Sequence, residues 1–360
     1  MKMIAVIVAS ISFFVAATTM AAEPPVERPD RADWLRDARW GVMTHYLPDW
    51  IERKQWTADE FNALIDGFDV DALAAQLESV GCKYYLFTIG QNSGFYNAPN
   101  ATYDEIVGHK PSHCARRDLI SDLSTALKLR GIKLMVYLPS GAPSQDKVAI
   151  EKLRWNRGPN RNAEFQRNWE RIIKEWSDRW GTNVAGWWFD GCYWPNHMYR
   201  GDAPNFDTFA AAARSGNPDA IVAFNPGVFF PIFSMSAQED YTAGEINDVE
   251  RVLIKTNRLH GGHMDGSQLH MLSYLGRTWG RGDEPRMPSE RSISITQDFI
   301  NHGGAVTWDT PVQRNGVIAE PFMQQLRAIS RGVTDPQPTT QSAATQNATS
   351  RPASRGAAGE

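Results

Sequence analysis

Short apolar runs alternate with longer amphipathic stretches through most of this chain. Trp40 to Tyr46 is a compact apolar run and predicts a first strand. From Asp69 to Gly81, Val70, Leu73, Ala74, Leu77 and Val80 fall at helical spacing, with Gly81 placed as a C-terminal cap. Lys83–Ile89 predicts a second strand, Asp118–Arg130 a helix ended by Gly131, and Lys133–Leu138 a third strand. Phe165–Trp180 predicts a helix closed by Gly181, followed by a fourth strand at Val184–Asp190. Phe206–Arg214 reads as helix and Ala220–Asn225 as a fifth strand. The later pattern is less regular: a short sixth strand at Asp240–Ala243, a seventh at Leu269–Leu275 and an eighth at Ala305–Trp308.

Strand and helix alternating at this cadence indicate parallel βαβ units. Eight strands over this length fit a single (β/α)₈ barrel, spanning about residues 23–333, better than an open doubly wound sheet. No Gly-x-Gly-x-x-Gly follows an early strand, which argues against a nucleotide-binding fold.

The two ends depart from this pattern. Residues 1–22 read as a cleavable export signal: Lys2, an apolar run from Ile4 to Ala17, then small residues up to Ala21 and Ala22. The apolar run is too short to span a bilayer, and no later segment is long and apolar enough to do so. The chain is therefore expected to be secreted or periplasmic. From Thr334 to the C-terminus there is no aromatic residue and no apolar face, so residues 334–360 are expected to form a disordered tail. Asn347-Ala-Thr within it is formally a glycosylation sequon.

The net charge of −4, or −5 once Lys2 is removed, comes without basic runs and speaks against nucleic acid or anionic membranes as partners. The three cysteines, Cys82, Cys114 and Cys192, suit neither a disulfide framework nor a zinc site. One disulfide with one free thiol and three buried thiols both stay open. His260-Gly-Gly-His263-Met-Asp265 has metal-like residue types, but its glycine-rich spacing fixes no ligand geometry, and no metal or cofactor is expected.

In a barrel the chemistry gathers at the C-terminal ends of the strands. Those ends carry His45, then Gln91 and Asn92, Tyr137, Trp188 and Asp190, and Asn225. The next segment holds Glu239, Asp240 and Glu245, and the last two strands bring Gln268, His270, Trp308 and Asp309. Indole faces stack on sugar C–H surfaces, while amides and carboxylates bind hydroxyls, so the set suits a carbohydrate. Trp188 and Asp190 share one face of their strand, whereas Trp187 and Phe189 face the helices. Asp190 closes an apolar run, where a carboxylate is costly unless paired or used, and it is the candidate catalytic carboxylate.

Several segments resemble family 29 α-L-fucosidases, in order along residues 30–330. These are Trp34 to His45, Arg117-Asp118-Leu-Ile-Ser-Asp-Leu, Gly131 to Tyr137, Gly186-Trp-Trp-Phe-Asp-Gly191, and His302-Gly-Gly-Ala-Val-Thr-Trp308 with Gly316-Val-Ile-Ala. The resemblance implies that Asp190 is the nucleophile of a retaining mechanism and that His45, Tyr137 and Trp188 line the sugar pocket. There are departures. The family's His-His-Asp-Gly-Phe is Gln91-Asn92-Ser93-Gly94-Phe95 here, and its His-Trp-Gly is His45-Tyr46-Leu47. His270 stands nine residues before Trp279-Gly280, where many members have the acid/base glutamate. The family's C-terminal β-sandwich is expected to be missing.

For the acid/base, Asp240-Tyr-Thr-Ala-Gly-Glu245 resembles an acidic segment near the family's pocket, making Glu245 the first candidate, with Glu239 and Glu52 behind it. His270 is a further proton-donor candidate. The reading is an exported, retaining exo-α-glycosidase of α-L-fucosidase type acting on a glycan or polysaccharide. A non-catalytic carbohydrate-binding barrel and a glycosidase for another sugar stand as alternatives.

Overall fold

A computed structural model describes residues 31–158, 160–193, 201–251, 263–264 and 266–334. The expected export signal, the tail beyond Thr334 with Asn347, and His260 and Asp265 lie outside the described residues.

Seven parallel strands curl into one sheet in the manner of a TIM-like (β/α) barrel. They are β1 (Trp40–Thr44), β2 (Tyr84–Thr88), β3 (Lys133–Pro139), β4 (Val184–Asp190), β5 (Ile221–Phe224), β8 (His270–Tyr274) and β9 (Ala305–Asp309). Their order is β5-β4-β3-β2-β1-β9-β8. The remaining pair, β6 (His263–Met264) and β7 (Ser267–Gln268), forms a small antiparallel ladder outside this sheet.

The sixth position differs from expectation. Residues 240–246 form no regular strand, yet their backbone bonds both open edges of the sheet. Asp240 N–H donates to Val222 O of β5 at 2.9 Å, while Leu272 N–H of β8 donates to Gly244 O at 2.8 Å and Ile246 N–H to Leu272 O at 2.9 Å. Gly244 makes this close approach achievable. Its φ is +62°, and a Cβ there would run into the carbonyl of His270.

Side-chain alternation along the strands splits the interior into two cores. Met43, Tyr84, Leu86, Met135, Tyr137, Trp188, Ile221, Ala223 and Leu272 fill the inside of the curl. Val42, Tyr85, Phe87, Val136, Trp187, Phe189, Val222, Phe224 and Trp308 point outward and pack against the helices. Several of the helices begin where short polar side chains cap them. Asp69 Oδ1 accepts from Ala72 N at 2.9 Å, starting the helix Val70–Ser79, and Asp118 Oδ1 accepts from Ser121 N at 2.9 Å, starting Leu119–Lys128. The 18-residue helix Ala163–Trp180 lays Trp169, Ile172, Ile173, Trp176 and Trp180 on the sheet. Truncating any one of these indoles would cost about 3–5 kcal/mol. Among the described residues no helix is long and apolar enough to cross a membrane. Cys82, Cys114 and Cys192 are all free and buried, so the single-disulfide alternative is set aside.

Candidate active site

The C-terminal ends of the strands open on a cavity of about 230 Å³. Seven residues expected at strand ends or just beyond line it: His45, Gln91, Asn92, Tyr137, Trp188, Asp190 and Glu245. Met43 and Leu272 form the floor, and Trp50 and Trp279 complete the wall.

Two half-buried carboxylates face this space. Asp190 ends β4, and its two oxygens are separately engaged. Tyr137 donates its hydroxyl to Oδ2 at 2.6 Å, and Asn225 donates its amide to Oδ1 at 2.9 Å. Glu245 arrives from the irregular 240–246 segment, and its Oε2 accepts from the same Asn225 Nδ2 at 2.6 Å. Both oxygens therefore sit on one nitrogen, 2.9 and 2.6 Å away, and cannot stand more than about 5.5 Å apart. Asn225 is itself oriented by Gly227 N–H, which donates to its carbonyl oxygen at 3.0 Å.

The two acids differ in environment. Burial, and next the charge of Asp190, push Glu245 from the ordinary glutamate value of 4.5 up to about 7, against the Asn225 hydrogen bond and the charge of His45. Glu245 is thus a carboxyl that still carries its proton near neutrality. Tyr137 is held protonated far above the ordinary phenol value, chiefly by burial and then by Asp190. It therefore remains a donor to Asp190 while accepting from Gln91 Nε2 at 2.5 Å.

Aromatic rings fix the rest of the wall. Trp188 stacks on Tyr137 with centroids 5.4 Å apart and donates its indole N–H to Ala243 O at 3.0 Å. His45 stacks on Trp50 at 4.6 Å, and its Nδ1 pairs with Asp309 Oδ1 at 2.9 Å. The other Asp309 oxygen accepts from Gly280 N–H at 2.5 Å. Gly280 has φ +56° and lies so close to His45 and Trp50 that a Cβ would intrude on both.

The family profile described as Alpha-L-fucosidase aligns with residues 38–333. The chain belongs to the alpha-L-fucosidase family. No curated protein matches the chain significantly. Similar solved structures include the endo-fucoidan hydrolase MfFcnA4 from glycoside hydrolase family 107, at 20% identity and TM-score 0.67, over 83% of this chain and 53% of that one. The endo-fucoidan hydrolase P5AFcnA, from the same family 107, gives 15% identity and TM-score 0.64, over 85% of this chain and 94% of that one. The alpha-L-fucosidase AlfC from Lactobacillus casei gives 13% identity and TM-score 0.61, over 85% and 98%. The chain thus spans about half the length of MfFcnA4. These likenesses speak for the fold alone.

Within this family member, four expected substrate contacts lie elsewhere. Glu239 is fully buried and accepts from the backbone N–H groups of Phe224 (3.1 Å), Met235 (2.5 Å) and Ser236 (2.9 Å), so it braces a turn rather than facing the cavity. Trp308 faces outward, its indole N–H donated to Thr296 Oγ1 at 3.0 Å. Asp309 lies behind His45, with no exposed surface. His270 has the right face but the wrong depth. It stands two residues before Leu272 on β8, roughly 6–7 Å below the cavity floor. Its ring nitrogens are held by Thr242 O at 3.0 Å and Thr307 Oγ1 at 2.7 Å, and burial lowers its pKa to about 4. A histidine neutral above that value is no proton donor near pH 7. Glu52 is exposed and pairs with Arg314 at 3.4 Å.

Trp50 and Trp279 were not among the expected contacts. Trp279 lies nine residues after His270, in a segment whose marked candidate is that histidine. Trp50 follows the first strand by six residues, and the loops after barrel strands are where such a ring could have been sought. As for metals, His109, His113 and Asp146 make the only candidate group among the described residues. The two imidazoles stack face to face at 3.6 Å, so their planes cannot both contain one ion as they stand. Asp146 instead caps the helix Lys147–Leu153 and binds His109 Nε2 at 2.7 Å.

Proposed function

We propose that this chain is an exported, retaining exo-α-glycosidase that releases fucose or a closely related sugar from a glycan. The observation that carries the reading is the shared Asn225 amide. Retaining glycosidases hold their carboxyl groups about 5–5.5 Å apart and inverting ones about 6.5–9.5 Å. The limit of about 5.5 Å between Asp190 and Glu245 supports the first class. A cavity of about 230 Å³ suits a single sugar ring, which supports removal of one terminal residue. Residues 240–246, bonded to both sheet edges, would stand as the sixth strand position, the one that closes an eight-position barrel. The N-terminal apolar run supports export.

In the first step Asp190 attacks the anomeric carbon and the glycosidic bond breaks, its electron pair passing to the leaving oxygen. Glu245 gives that oxygen its proton, which the raised pKa keeps available near neutrality. In the second step Glu245, now ionised, takes a proton from water as the water oxygen bonds to the anomeric carbon and Asp190 departs. Tyr137 and Asn225 hold the two Asp190 oxygens in place for attack. No cofactor is needed.

The deciding experiment is hydrolysis of a panel of 4-nitrophenyl glycosides, including the α-L-fucoside, by the wild type and Asp190→Ala. Turnover with retained anomeric configuration that vanishes in the variant supports the reading. An inverted product would remove the retaining mechanism. No turnover on any glycoside or fucosylated glycan, with folded protein, would favour a carbohydrate-binding barrel.

A further inference from the structure

Among the described residues, the strongly exposed large apolar side chains are Leu129, Val148, Tyr193 and Phe229. The first two lie on or beside the helices Leu119–Lys128 and Lys147–Leu153 and do not line the cavity. The other two sit on the loops that leave β4 and β5, on the same C-terminal edge of the sheet as Asp190 and Asn225. Tyr193 is 48% exposed and Phe229 49%, on the rim of a buried site where solvent-facing rings are costly.

Their placement follows Glu245. This carboxyl lines the sugar cavity on one side and, on the other, a small hollow walled by Pro226, Gly227, Phe229, Ile232 and Phe233. Phe229 is braced edge-on by Phe233 at 5.4 Å. The Tyr193 ring lies against Gly227, its carbons 3.4 and 3.5 Å from where a Cβ would stand. The Asp190 charge, with burial and Glu245 behind it, keeps the Tyr193 phenol protonated, so its hydroxyl stays a donor.

A proton donor stands beside the oxygen it protonates, and that oxygen belongs to the leaving group. The surface beyond Glu245, away from the sugar cavity, is therefore where the leaving group lies. We propose that Tyr193 and Phe229 form an aromatic platform for the sugar on the leaving side of the scissile bond, so that the substrate is an oligosaccharide or polysaccharide. Ring faces take the C–H surface of a pyranose, and the Tyr193 hydroxyl adds a polar contact. The inference rests on Glu245 being the proton donor.

The test compares two substrates that share the transferred sugar. α-L-Fucosyl fluoride has almost no leaving group to bind, while a fucosyl oligosaccharide has a full one. The ratio of kcat/KM on the oligosaccharide to that on the fluoride is expected to fall roughly tenfold in Tyr193→Ala and in Phe229→Ala, and further in the double variant. Tyr193→Phe and Phe229→Tyr, which keep the rings, are expected to restore most of the ratio. An unchanged ratio in the double variant overturns the platform while leaving the proposed reaction intact. If the wild type hydrolyses neither substrate, the proposed reaction fails. Calorimetric binding of the oligosaccharide to the wild type and the double variant then decides the platform, and equal or absent affinity overturns it.

Discussion

Asp190 and Glu245 share one donor, the side-chain amide nitrogen of Asn225, at 2.9 and 2.6 Å. One uncharged group thus sets the spacing of two acids that would otherwise repel, and it bonds to both. Asn225 was expected to touch substrate; in the structure it stands between the carboxyls.

Removing that amide is expected to affect spacing and acidity together. The Asn225 hydrogen bond is among the forces lowering the Glu245 pKa, so its loss moves that pKa further up. In Asn225→Ala, kcat is expected to fall about a hundredfold. The alkaline limb of the pH–kcat/KM profile should shift to higher pH. A fall in kcat with the limb unmoved would show that Asn225 acts only on Asp190.

Glu245, with its pKa near 7, predicts how the rate responds to the leaving group. In Glu245→Ala, substrates with poor leaving groups are expected to lose about 10²–10⁴-fold in kcat, and those with strongly acidic leaving groups much less. The wild-type rate on poor leaving groups should decline as pH rises through about 7. A uniform loss across leaving groups would assign the proton to another residue.

Stability should respond to the same group. In the folded chain Glu245 keeps its proton up to about pH 7, whereas unfolded it ionises near 4.5. The folded state therefore binds the extra proton between these values, and stability falls as pH rises from about 4.5 to 7. Glu245→Gln is expected to match the wild type in stability at pH 4. It should exceed it at pH 8, by on the order of 3 kcal/mol, as a higher urea midpoint at an unchanged slope.

Tyr137→Phe removes the donor to Asp190 Oδ2 and the acceptor of Gln91 Nε2 while keeping the ring stacked on Trp188. Single-turnover kinetics should show glycosylation of the enzyme slowed about 10- to 100-fold. A change confined to KM would place Tyr137 in ground-state binding only.

Asp309→Asn should act through His45. The carboxylate fixes the ring's Nδ1 and accepts the Gly280 N–H. KM for the glycoside is expected to rise several-fold with kcat less affected, and removing this buried partner should cost about 1–3 kcal/mol. An unaltered KM would leave Asp309 a purely structural residue.

The fold was legible where alternation was clean. β4 runs from Val184 to Asp190, as its apolar run predicted, with Trp187 and Phe189 turned to the helices. Residues 240–246 were harder, because what places them is hydrogen bonding to β5 and β8 rather than a local β pattern. Within the site, parity along a strand revealed which face a residue takes but not how deep it lies. That is why His270, on the correct face of β8, proved to be a buried structural histidine. Trp308 failed on parity itself, since its neighbours Thr307 and Asp309 take the inward positions. Glu239 stood behind Glu245 as a candidate acid, and what removes it from the cavity is the loop's own course, which brings the backbone amides of Phe224, Met235 and Ser236 onto its carboxylate.

The segment carrying Glu245 reaches Asp190 only by tying β5 to β8, with Gly244 threaded against the His270 carbonyl. Assembly and competence are therefore one event. Until the two margins of the sheet are joined, Asp190 stands without Glu245 beside it. Under the proposed reaction, an unfinished molecule would thus be inert toward any glycan it meets.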